Sequence, residues 1–256
     1  MMEFAVLIYL IAGLSAGIFT GLAGVSAAAI ISPMLITFLG MDAYMAIGIA
    51  LASDVLASAT AAFLYAKNGH IDIKRGLIMT TSVLVFTYIG SYAATFVAND
   101  TMSGISLVMT TYLGLRFIIR PVANQKSGGI DNRKRMIFLS IVCGMLIGFI
   151  CGFFGAGGGM MMLFVLTAIL GYDLKTAVGT SVMIMSMTAF TGAISHMALG
   201  GMPDPVGLAI CVLATLVGSW GMSIFAIKRK PKTLNRLTGV GLTLLGVVML
   251  LFNFVF

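Results

Sequence analysis

From Phe4 through Met41 the chain carries no charged side chain. As one helix that stretch would be about 57 Å long, nearly twice the ~30 Å hydrocarbon core of a bilayer. Two full crossings of about 20 residues each would use all of it and leave nothing for a turn. The run therefore predicts a helical hairpin with an internal break near Gly24 and one short leg. Gly13, Gly17, Gly21 and Gly24 are spaced three and four apart. That spacing lays them on one helix face, where another backbone can approach closely.

The same pattern returns later. Gly144, Gly148, Gly152 and Gly155 have the same spacing, followed by Ala156, Gly157, Gly158 and Gly159 where the first copy has Val25, Ser26, Ala27 and Ala28. Successive glycines weaken a helix by roughly 1 kcal/mol each relative to Ala and permit a break with free backbone N–H groups. At the fixed offset that carries Gly13 onto Gly144, nine of the eleven glycines before Pro121 land on glycines, and Asp42 lands on Asp173. With 31 glycines in 256 residues, chance would match only about one or two. The chain reads as a duplication, the kind of internal repeat found in secondary transporters.

Composition agrees with a membrane location. Hydrophobic residues make up 60%, charged residues 9%, and the mean hydropathy is +1.10, far from the ~25% charged residues of a soluble chain. The formal charge of +7 resides in short loops between apolar runs, so topology explains it and nucleic acid is excluded as a partner. Cys143, Cys151 and Cys211 lie in apolar runs without CxxC spacing, which supports neither a disulfide framework nor a metal site. No cofactor is expected. Met1-Met2-Glu3 offers no basic region before the first apolar run, so that run is expected to stay as a span.

The expected architecture is an all-α polytopic membrane protein of two repeats, each a broken or re-entrant hairpin plus three transmembrane helices. The first repeat covers 1–120, a basic cytoplasmic linker covers 121–135, and the second repeat covers 136–256. In the first half, helices are expected over 43–65, interrupted at Ser53-Asp54, then over 76–97 and 102–119. Charge in aligned loops alternates. Lys67, Lys74 and Arg75 align with the cation-free 200–205, while the acidic 98–100 aligns with Lys228, Arg229, Lys230 and Lys232. By the positive-inside rule, equivalent loops then lie on opposite sides. The repeats are expected to be inverted, with five apolar segments each, ten in all, and both termini outside the cell membrane.

These residues resemble a known family. The paired Gly-x3-Gly-x3-Gly-x2-Gly stretches, the run Gly155 to Gly159, Ala177-Val178-Gly179-Thr180-Ser181 and Gly218-Ser219-Trp220-Gly221 are similar to those of the TauE/SafE family. The resemblance covers nearly the whole chain and is stronger in the second half, because Ser26-Ala27-Ala28 stands in for the glycine run and Ile49-Ala50 for Thr180-Ser181. It implies export of a sulfur-containing anion of the sulfite or organosulfonate class, with no enzymatic activity. The implied partners are that small organic or inorganic anion and membrane lipid, with a homodimer left open.

A helix broken at mid-membrane exposes N–H groups and about half a positive charge at the start of its second piece, and an anion suits that position. Two such tips are expected to meet at the repeat interface. The candidate substrate-binding residues are Gly24, Val25, Ser26 and Ala27 in one half and Gly155, Ala156, Gly157, Gly158 and Gly159 in the other. Hydroxyls of Ser53, Thr180 and Ser181 could complete the anion's hydrogen bonds, or could bond only their own helices. For the glycines spaced ahead of each break, tight packing alone is the competing reading. Asp54 is the only acid deep in an expected span, where a charge costs at least about 2.5 to 3.5 kcal/mol. It is a proton-coupling candidate, with an N-cap as the alternative.

Tyr65 and His196 also align at the repeat offset, near the ends of equivalent helices, and interfacial anchoring is expected of them. Two other classes stand beside the transporter. A channel can also select anions with helix N-termini, and an intramembrane serine hydrolase would need Ser26 with His196 or His70 as base.

Overall fold

The uncharged run at the start of the chain folds as a broken hairpin. In the computed structural model, helix α1 spans Met2–Ala23, and α2 spans Ala28–Leu39. The structure describes residues 2–97, 108, 133–154, 158–200 and 203–255. The expected helix 102–119 apart from Val108, the turn 98–100, and residues 121–132 of the linker lie outside these. At 12 residues, α2 is about 18 Å long, a little over half a bilayer core, and it is the short leg. Gly40 closes it in the left-handed conformation, φ 60°, donating its N–H toward Ile36 and Leu35. Asp42 then caps α3, Ala43–Lys67, by accepting from the amides of Tyr44 and Met45. Helix α4 spans Ile73–Ala94.

Every described element of the first half has a counterpart at or near the repeat offset. Helix α5 is Arg133–Phe154, and α6 is Gly158–Phe164, continued by the π turn Val165–Ile169. Then come α7, Leu174–Gly200, α8, Pro205–Lys228, and α9, Pro231–Val255. The capping chemistry repeats as well. Gly171 takes φ 73°, and Asp173 accepts from the amides of Lys175 and Thr176. Among the described residues, α1, α3, α4, α5, α7 and α8 are long and apolar enough to cross a membrane.

One expectation fails here. Helix α3 runs without interruption through Ser53 and Asp54, so Asp54 does not cap a new helix segment. The Ser53 hydroxyl bonds the Ile49 carbonyl one turn back, and the Asp54 carboxylate finds its donors in side chains and in the α2 tip, so the helix has no reason to open.

The glycine stripes determine how the helices pack. Gly13 lies against Cys211 and Ala214, Gly17 against Thr215 and Ser219, and Gly21 against Ser219 and Ser223. Helix α1 therefore runs parallel to α8. Gly144 lies against Met79 and Ser82, Gly148 against Val83, and Gly152 against Thr87 and Ser91, so α5 runs parallel to α4. Each half's leading helix thus docks on the fourth helix of the other half, and the packing reading holds for these six glycines. Helices α3 and α7 pair in opposite directions, with Gly48 beside His196, Leu51 beside Gly192, and Tyr65 beside Gly179. Among the described residues the most extensive helix pairings all join one half to the other.

These contacts leave no room for a side chain. A Cβ at Gly21 would sit 2.6 Å from the Ser219 carbonyl oxygen, and one at Gly17 or Gly148 would overlap the Thr215 or Val83 carbonyl. At Gly221 nothing lies within 4 Å. Gly17→Val and Gly148→Val should each cost about 1–3 kcal/mol or more through overpacking, whereas Gly221→Val should cost far less. The check is the monodisperse fraction and apparent Tm of each variant purified in detergent.

Candidate anion site at the hairpin breaks

The first break is built by Gly24. Its φ of +64° turns the chain out of α1 at a position where L side chains are strained. The Gly24 N–H still reaches the Thr20 carbonyl at 2.9 Å, and the Thr20 hydroxyl lies 2.8 Å from the Val25 carbonyl, which fastens the turn back onto α1. Val25 and Ala27 are buried. Ser26 opens the second leg: its Oγ accepts from the Ala28 amide at 3.3 Å, and its carbonyl accepts from Ala29 at 3.0 Å.

Helix α2 has no side-chain cap of its own at Ala27. The missing acceptor comes from α3. The Ser26 hydroxyl donates to Asp54 Oδ2 at 2.8 Å, the Ser58 hydroxyl donates to Oδ1 at 2.7 Å, and the Ala27 amide hydrogen-bonds the same carboxylate. All three side chains are buried, Asp54 to 1% exposure. A carboxylate thus occupies the amide-rich start of α2, where the orphan N–H groups and the macrodipole favour negative charge.

The second hairpin reaches the first directly. A Cβ on Gly159 would overlap the Gly24 carbonyl oxygen and lie 2.8 Å from the Ser26 nitrogen, so glycine is what lets the two backbones touch. Gly158 faces Cys151 of α5, 2.9 Å from where a Cβ would stand to the sulfur. Gly24 packs on α7, with its Cβ position 2.7 Å from Ser181 Oγ. Gly155, Ala156 and Gly157 lie outside the described residues.

The expected hydroxyls divide. Ser53 and Ser181 donate to carbonyls of their own helices, Ile49 at 2.8 Å and Val178 at 2.8 Å. Thr180 Oγ accepts the Asp72 amide at 3.0 Å, joining α7 to the chain just before α4. Ser181 abuts the first break at Gly24.

Tyr65 and His196 are corrected from interfacial anchors to interior clamps. They are 0% and 1% exposed. The Tyr65 hydroxyl donates to the Gly21 carbonyl at 3.4 Å, and His196 Nε2 lies 3.1 Å from the Gly152 carbonyl. Gly21 and Gly152 are themselves equivalent, so each half ties the last turn before its break with the same contact. The signal was present in the sequence as two pairs aligned at one offset. Ser58 was also missed, though its place four residues after Asp54 puts both on one helix face.

Comparison with known proteins agrees with this architecture. The family described as "Sulfite exporter TauE/SafE" matches residues 9–249. The chain is 27% identical to the probable membrane transporter protein YunE of Bacillus subtilis, over 96% of both chains. It is also 27% identical to the probable membrane transporter protein MJ0441 of Methanocaldococcus jannaschii, over 97% of both. With the probable membrane transporter protein YdhB of Bacillus subtilis it shares 24% identity over 80% of this chain and 83% of the other. No solved structure matches. A family match along nearly the full length, joined to six apolar helices among the described residues, makes this chain a multi-pass membrane transporter of the TauE/SafE family.

Proposed function

We propose that this transporter exports a small sulfur-containing anion, of the sulfite or organosulfonate class, from the cell by alternating access between two inverted halves. The observation that carries the reading is the meeting of the hairpins, Gly159 of one against Gly24 and Ser26 of the other. A helix start at such a meeting point suits an anion, and the family's description names sulfite. Inversion is supported by the opposite directions of the equivalent helices α3 and α7. The alternation of basic loops supports it independently and favours both termini outside the cell membrane.

The driving force needs little from the protein. An inside-negative potential of about 100 mV favours exit of a monovalent anion by about 2.3 kcal/mol. Asp54 is the candidate for proton coupling. It lies on the first hairpin's tip, and a proton taken up by its carboxylate would loosen the two serine hydroxyls and the Ala27 amide from it. The titratable neighbour facing it is the Cys151 thiol of α5.

In proteoliposomes loaded with sulfite, sulfate, thiosulfate or short sulfonates, the expected result is saturable efflux of one sulfur anion with counter-flow. Large unitary currents in planar bilayers would replace the carrier with a channel. Gly159→Val, which drives the two hairpins apart, should lower that efflux at least about tenfold. Such a loss corresponds to about 1.4 kcal/mol. Efflux by Asp54→Asn should no longer respond to an imposed pH gradient; a response equal to that of the unaltered protein would remove the proton role.

A further inference from the structure

The two hairpin tips align at the repeat offset but differ in charge, and the difference sits at Asp54. We propose that Asp54 is a tethered anion, held ionised in the resting carrier, which fills the start of α2 and withdraws the first half's hairpin tip from the transported solute. This rests on reading the hairpin tips as the anion-handling elements, although the tests below read charge and binding at residue 54 and require no transport.

Three observations carry it. The carboxylate meets donors from two elements: Ser26 Oγ and the Ala27 amide from the break, and Ser58 Oγ from α3. The Ser26 oxygen also accepts the Ala28 amide at 3.3 Å, which ties the carboxylate's partner to the helix start. An ionised carboxylate is an acceptor only and satisfies this set of donors; a protonated acid brings a further proton into the same cradle.

The group has also replaced a cap. Ala27 has no side-chain partner in its own turn, and the acceptor that α2 lacks arrives from a residue 28 positions away from Ser26. A carboxylate on a helix start is the arrangement by which such termini hold free anions.

Finally, the repeat removes the whole constellation at once. At the offset that pairs Gly13 with Gly144, Asp54 becomes Met185, Ser58 becomes Ala189, and Ser26 becomes Gly157. The charge and both hydroxyls that serve it are absent together from the second half.

Two measurements test this on the full-length protein in detergent. The infrared difference spectrum between the unaltered protein and Asp54→Asn at neutral pH should show loss of a carboxylate stretch. Loss of a protonated carboxylic acid band would overturn the proposal. Asp54→Ala empties the cradle, and formate, a free carboxylate of matching size, should bind there. Sodium formate should restore about half or more of the Tm lost on substitution, by linkage between binding and folding, while sodium gluconate at equal ionic strength should not. An Asp54→Ala protein that responds to formate no more than the unaltered protein does would overturn it. If that variant does not fold, the infrared measurement on the near-isosteric Asp54→Asn still decides.

Discussion

A backbone amide set free inside a membrane has no water to turn to, and each unsatisfied polar group there costs several kcal/mol. The break at Gly24 creates such amides in the middle of the structure, and the surrounding fold is arranged to answer them. Thr20 secures the turn, Ser26 receives Ala28, and Asp54 reaches across from α3 to the Ala27 amide. That reach requires α3 to lie against α2 at one register, which Gly40 and Asp42 set by ending one helix and starting the next within a few residues. The short leg is then enclosed, with Ala28 through Leu35 buried.

Helices in lipid gain little from burying apolar surface, so their association depends on close packing and polar contacts. The six spaced glycines provide the first, bringing α1 onto α8 and α5 onto α4 at backbone contact. Buried hydroxyls supply the second, between α8 and α3 and along the α4–α5 seam. Ser219 donates to the Ala57 carbonyl at 2.7 Å and Ser91 to the Gly152 carbonyl at 3.3 Å. The clamps from Tyr65 and His196 act on the same carbonyl turns. Close approach and hydrogen bonding thus converge on the last turn before each break, and the breaks inherit their relative position from the packing of long straight helices.

Much of this was readable in the chain because glycine has few uses. A fixed offset shared by nine glycines pointed to a repeat, and the charge-free run from Phe4 to Met41 could not be one crossing or two. The capping aspartates Asp42 and Asp173 aligned for the same reason. What sequence could not supply was which partner each stripe would meet. Spacing places Gly13, Gly17 and Gly21 on a face but does not say that the face meets Cys211 through Ser223. For Asp54 the error had a physical source: an acid after a serine looks like a local cap, and only the fold brings Ser26 to it from another segment. Tyr65 and His196 misled through their amphipathic character, which suits a headgroup region as well as it suits a buried carbonyl.

The exchange of partners between halves bears on how the protein is made. When only the chain through α4 has been made, the packing faces of α1 and α4 have not yet met their partners α8 and α5. The membrane can hold such helices individually, because their backbones are internally bonded. Their final alignment must await the downstream sequence, so the nascent first half is an unfinished surface and not a miniature of the mature fold.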